Sequence, residues 1–129
     1  MKAFTDIEQS KKLAKILPPD SADMCYRIVA YNPNDTHVYQ PYCFVRTLES
    51  DIPCWSLDAL FGVIPKWFPI HKRIKDYNVL RIDISDNNFA IWYDEIGYGV
   101  NNDLPIITAE SAVDACYEMI IKLNELDAL

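Results

Sequence analysis

At 129 residues, half of them apolar and about a quarter charged, the chain has the composition of one folded domain spanning residues 1–129, not of a disordered or fibrous protein. Its three glycines exclude a glycine-rich phosphate loop, its eight prolines form no PxxP tract, and no window approaches the ~18 apolar residues of a membrane span. The net charge of −7 is unevenly placed: eleven Lys and Arg against nine Asp and Glu up to Ile82 (+2), then Lys122 alone against ten acids (−9).

The opening Met1-Lys2-Ala3-Phe4-Thr5-Asp6-Ile7 has no apolar h-region, so a cytoplasmic setting is expected. With no secretory signal, Cys25, Cys43, Cys54 and Cys116, each in an apolar neighbourhood, read as buried reduced thiols. The first helix is expected from Asp6 to Leu17, with Thr5 as N-cap and Glu8 three residues on, as in a capping box. Ile7, Leu13, Ala14 and Leu17 form its apolar stripe, and Pro18-Pro19 ends it because proline cannot continue the ladder.

Cys25 to Tyr31 is rich in aromatic and β-branched residues and reads as a strand. Asn32-Pro33-Asn34-Asp35 turns the chain, and a return strand from His37 to Arg46 is interrupted by Pro41, which predicts an edge strand or a bulge. A short helix follows, capped by Ser56, with Leu57, Leu60, Phe61 and Ile64 on one face and Gly62 and Pro65 at its end. Lys66 to Lys75 reads as irregular.

A hairpin comes next. Leu80, Ile82 and Ile84 alternate with Arg81 and Asp83, Ser85-Asp86-Asn87-Asn88 turns, and Phe89, Ile91 and Tyr93 return on one face. Gly97 to Asp103 reads as a polar loop and Leu104 to Ile107 as a short strand. The last helix is expected from near Thr108 to about Leu126, with Glu110 at the positive end of its dipole. Its wide apolar stripe runs through Ala112, Val113, Cys116, Tyr117, Ile120, Ile121 and Leu123. The order α-β-β-α-β-β-(β)-α predicts an α+β fold, an antiparallel sheet of four to five strands with the helices on one face.

No candidate chemistry is carried by spacing. Cys43 and Cys54 are too far apart for a zinc pair, and His37 and His71 have no neighbouring ligand, so no metal and no cofactor are expected. Asp83 to Asp94 places oxygen side chains as an EF-hand loop does, yet lacks its glycine and its final glutamate, and its second half alternates as a strand. No G-x-S-x-G elbow occurs, and Cys54 beside Trp55 reads as core. Asp94-Glu95 could serve as an acid–base pair only if His71 and a tyrosine converged on them; a solvated hairpin end is the simpler account. No catalytic residue is assigned.

Two surfaces qualify for binding. The basic-aromatic segment with Lys66, Trp67, Lys72, Arg73 and Lys75 has the makings of a nucleic-acid contact, but the sequence pI of about 4.6 opposes that. The other combines Tyr26, Tyr31, Tyr39 and Tyr42 with Asp94, Glu95, Asp114 and Glu118, and suits a protein partner.

Asp51-Ile52-Pro53-Cys54-Trp55-Ser56-Leu57-Asp58-Ala59-Leu60 and Ser111-Ala112-Val113-Asp114-Ala115-Cys116-Tyr117-Glu118-Met119-Ile120 resemble a group of small proteins of gut Bacteroidetes and their prophages. The stretches Phe4 to Leu13 and Pro19 to Met24 are similar too, whereas Tyr26 to Arg46 and Lys66 to Asp103 are much less so. The resemblance implies a bacterial or phage cytosolic setting and, since the group carries no assigned activity, no site residue. The sequence therefore predicts a non-enzymatic protein-interaction module that uses its acidic C-terminal half. A nucleic-acid-associated regulator using residues 66–75 is the alternative, and a small-molecule enzyme the third reading.

Overall fold

A computed structural model describes residues 2–31, 37–70 and 73–129, with side chains for all of these except 67–70 and 73–77. The fold is α+β, built on two antiparallel sheets instead of the single sheet expected. The first sheet has the order β2-β1-β3, from β1 (Met24–Tyr31), β2 (His37–Tyr42) and β3 (Ile52–Cys54). The second runs β4-β5-β6-β7, from β4 (Trp67–Ile70), β5 (Arg73–Ser85), β6 (Asn88–Glu95) and β7 (Gly99–Val100), with β8 (Ile107–Ala109) also paired to β6. Because there are two sheets, the helices divide between them. α1 (Ile7–Ala14) packs on β3, while α2 (Leu57–Val63) and α3 (Ala112–Glu125) pack on each other, and α3 also lies against β6 and β8.

The start of α1 shows how tertiary demand shifts a cap by one residue. Asp6, not Thr5, is the N-cap: its Oδ1 accepts from Gln9 N at 2.8 Å, and Gln9 Oε1 accepts from Asp6 N at 3.1 Å. Thr5 is drawn into the interior instead, where its Oγ1 is 2.8 Å from Ser10 Oγ. The helix ends at Ala14, which is exposed, and one tighter turn brings Leu17 into the core before Pro18.

Pro41 lies in β2, an edge strand, where a missing ladder donor is tolerated. The bulge of that pair falls instead between Ile28 and Ala30. Residues 67–70 and 73–75, expected to be irregular, form β4 and the start of β5. β4 is again an edge, so Pro69 is accommodated there. β3 and β7 were not legible as strands, being three and two residues long. Gly97 and Gly99 at the entry to β7 hold φ of 88° and 82°, the left-handed region that glycine enters without strain.

Thr108, expected to open the last helix, belongs to β8, whose Ile107, Thr108 and Ala109 face Ile91, Ala90 and Phe89. The cap is Ser111, whose Oγ accepts from Asp114 N at 3.0 Å. Beyond it the buried stripe is Ala112, Val113, Ala115, Cys116, Met119, Ile120 and Leu123, so Ala115 and Met119 join the residues expected, while Tyr117 and Ile121 are only half-buried. This stripe meets Leu13, Trp55, Leu60, Ile64, Ile91 and Tyr93 in the main core. Cys25, Cys54 and Cys116 are buried, and burial pushes the Cys116 thiol up to about 11. Cys43, expected inside, is exposed because it lies just past the end of β2.

A part-buried ion pair, with Asp51 inside and Arg27 half-buried, fastens the loop between β2 and β3. Asp51 accepts from Arg27 Nε and Nη2 at 3.0 and 2.8 Å, and from the backbone N–H of Thr47 and Leu48 at 3.3 and 3.0 Å. The Arg27 guanidinium, then the two N–H groups, hold the Asp51 carboxyl well below the usual carboxylate range. A carboxyl with a depressed folded-state pKa stabilises the fold above its unfolded pKa, and that contribution is lost as pH falls through the folded one. The stability gap between the native chain and Asp51→Asn is therefore expected to be constant above about pH 5 and to shrink below about pH 4. Urea midpoints measured from pH 7 to pH 2 check this (a gap independent of pH would exclude it).

Candidate interaction groove

The β5–β6 register places Leu80, Ile82 and Ile84 opposite Tyr93, Ile91 and Phe89, so all six share the face that α3 covers. Coverage is incomplete. Ile91 and Tyr93 are buried, whereas Ile82 is 42% and Ile84 68% exposed, because the tip of the hairpin runs past the first turn of α3. An open groove of about 940 Å³ results, floored by Leu57, Ile84, Phe89 and Ala112 and rimmed by Lys2, Asp86, Glu110 and Asp114. Three carboxylates face one ammonium, and the floor is apolar.

Lys2 and Asp114 form the inner corner. Lys2 Nζ donates to Asp114 Oδ1 at 2.8 Å and to Asp6 Oδ2 at 3.1 Å, and Gln9 Nε2 donates to Asp114 Oδ1 at 2.8 Å. Partial burial opposes ionisation of Asp114, but these donors outweigh it and hold the carboxyl below its ordinary value. Asp114 thus ties the N-terminal segment to α3. Asp86 at the hairpin turn and Glu110 just before the Ser111 cap are both exposed.

The sequence-predicted residues do not form one surface. Tyr26 is buried on the α1 side of its sheet, its hydroxyl donating to Thr5 O at 2.7 Å, and burial pushes its pKa up. Tyr42 stands opposite Cys25 on the other face and stacks on Phe44 at 5.1 Å. Tyr39 is half-buried, and Tyr31, 74% exposed, meets His37 edge-on at 4.9 Å. Asp94, on the outer face of the second sheet, accepts from Arg81 Nε at 3.2 Å and from Trp92 Nε1 at 2.8 Å. Glu95 opposes Gly99, and Glu118 lies on the solvent side of α3. The acids therefore occupy both sides of the second sheet, and of those predicted only Asp114 reaches the groove.

Of the basic segment, Lys66 donates to Ile64 O at 3.1 Å with its ammonium 5.7 Å from the Phe61 ring, and burial lowers its pKa. Trp67 opposes Val79 in the β4–β5 ladder, and Arg73 and Lys75 are backbone positions of β5. Lys72 and His71 lie outside the described residues, as does the Asn32–Asp35 turn. Among the described residues no three of His, Cys, Asp and Glu gather as a metal site, and no helix is long and apolar enough to cross a membrane.

Sequence reasoning missed the groove because its walls come from four separate segments. The one available signal was Ile84, an apolar residue beside the turn that no partner in the sequence required. No known protein family, no curated protein and no solved structure matches this chain.

Proposed function

We propose that this chain is a non-enzymatic protein-interaction module of the bacterial or phage cytoplasm, and that the groove receives a basic, partly apolar segment of another protein. The observation that carries this reading is the groove's composition: an apolar floor of Leu57, Phe89 and Ala112 with Ile84 largely exposed, rimmed by Asp86, Glu110 and Asp114 against Lys2 alone. Apolar contact supplies affinity there, and the carboxylates select cations and speed their approach. The acidity of the chain beyond Asp83 adds to the same attraction.

Two labelled probes test it by fluorescence anisotropy: a leucine–lysine peptide in helical register and a strictly alternating valine–lysine peptide, each against its glutamate counterpart. At least one lysine peptide is expected to bind, more weakly as salt rises, and Asp86→Lys with Glu110→Lys is expected to lower that affinity by roughly tenfold with the fold intact. Equal binding of the glutamate peptides, or none of any peptide, would exclude the reading.

A further inference from the structure

The groove borders a length of β5 that has a strand on one side only. β4 pairs with β5 as far as Val79, and the last bond across that edge is Leu80 N to Lys66 O at 2.9 Å. From Arg81 to Ser85 β5 is paired with β6, and no other strand lies beside it among the described residues. Backbone groups in a strand alternate in direction, so with Leu80 aimed at β4, the N–H and C=O of Ile82 and Ile84 aim at the open edge. Asn101 N donates to Tyr93 O across β6 at 2.9 Å, which fixes the same phase from the other side, because Tyr93 faces Leu80 as a non-hydrogen-bonded pair. Four backbone groups and two exposed isoleucines are thus presented side by side.

Protein edges of this kind are normally blunted, since they template pairing with another chain. Here the guard is Asp83, exposed on the opposite face between the two isoleucines. Antiparallel pairing of two copies that matched Ile82 with Ile84 would set the two Asp83 side chains directly opposite each other, which is repulsive. A foreign strand with lysine or arginine at that position would turn the same contact into an attraction. Arg81, on the same face, is already held by Asp94 at 3.2 Å.

Resting on the groove reading above, we infer that the partner binds by β-strand addition. An extended apolar–basic–apolar segment pairs with Ile82 and Ile84, turns its apolar residues toward the groove floor, and sets its central cation against Asp83 on the other face. The groove's own carboxylates act on its approach through their field. The second sheet gains a strand next to β5, continuing the line of the shorter β4.

Amide exchange read by NMR tests the mode apart from binding itself. With the valine–lysine peptide at about ten times its Kd, exchange of the Ile82 and Ile84 amides is expected to slow about tenfold, with no such change at Asp83, whose amide already faces β6. Asp83→Lys is expected to reverse the preference, so that the valine–glutamate peptide binds better than the lysine one. Binding of the helical peptide alone, or binding of the alternating peptide with Ile82 and Ile84 unprotected, would overturn strand addition and leave the groove reading standing. Binding of neither peptide overturns both, and dimerisation of the chain through Ile82 and Ile84 would overturn the assignment of a basic partner.

Discussion

Replacing Trp55 by alanine is expected to remove about 3–5 kcal/mol of stability, a large share of the roughly 5–15 kcal/mol available to a domain of this size. Trp55 is fully buried where the chain leaves β3 for α2, among Leu13, Leu60, Ile64 and the inner side of α3. Its indole Nε1 donates to Ser21 Oγ at 3.0 Å, which pins the turn after α1, while its backbone pairs with Thr5 on both sides. Alanine leaves a cavity that three elements cannot close together, and it also loses the bond to Ser21. Trp55→Phe separates the two contributions, since it keeps most of the apolar volume and loses only the Ser21 bond, at about 1–2 kcal/mol. Urea unfolding followed by circular dichroism measures both. Equal losses for alanine and phenylalanine would mean that the hydrogen bond, not the filling of the core, holds this corner.

Trp55 also shows what was legible in the sequence. Short-range chemistry was readable: the Ser56 cap, the alternation from Leu80 to Tyr93 and most of the stripe of α3 follow from spacing, whereas α1 ends at Ala14, ahead of the Pro18 stop. Long-range pairing was not. Thr108 has the chemistry of a helix cap, but β6 still offers an open edge beside Ala90, and the ladder claims it. Thr5 has the chemistry of a cap as well, and is taken by Trp55 N and Ser10 instead. In both cases the cap moved to the next polar residue able to serve.

The candidate site was less legible than the fold, for a geometric reason. Tyrosines close in sequence on a hairpin look like one patch, but a pleated sheet sends alternate positions to opposite faces, so Tyr26 and Tyr42 part company across two paired strands. Aspartates and glutamates counted along the chain likewise say nothing about which side of a sheet receives them. The groove depends on β5 outrunning β4 and α3, a comparison of element lengths that no local pattern contains.

Thr5→Val is the substitution that best isolates polar chemistry in this core, and it is expected to cost about 2–3 kcal/mol although it preserves shape closely. Thr5 is completely buried, and its Oγ1 accepts from Trp55 N at 3.2 Å while lying 2.8 Å from Ser10 Oγ and 3.6 Å from Cys54 Sγ. Its carbonyl accepts from Tyr26 Oη at 2.7 Å and from Cys54 Sγ at 3.5 Å. One arrangement of protons satisfies every member: Ser10 donates to Thr5 Oγ1, Thr5 Oγ1 to Cys54 Sγ, and Cys54 to Thr5 O. Valine removes the acceptor shared by Trp55 and Ser10, leaving a backbone N–H and a hydroxyl in a dry interior. Thr5→Ser keeps the hydroxyl and loses one methyl, at about 1 kcal/mol. If polarity governs the site, valine destabilises more than serine and speeds exchange of the Trp55 amide. If volume governs it, the order reverses. The outcome bears on the groove as well, because the strand of chain through Thr5 is what carries Lys2 to Asp114. Valine leaves the backbone bonds Thr5 N to Trp55 O and Leu57 N to Ala3 O in place, so a weakened core with the Lys2–Asp114 pair retained is the expected result. Loss of that pair would show that the Thr5 hydroxyl also holds the corner of the groove.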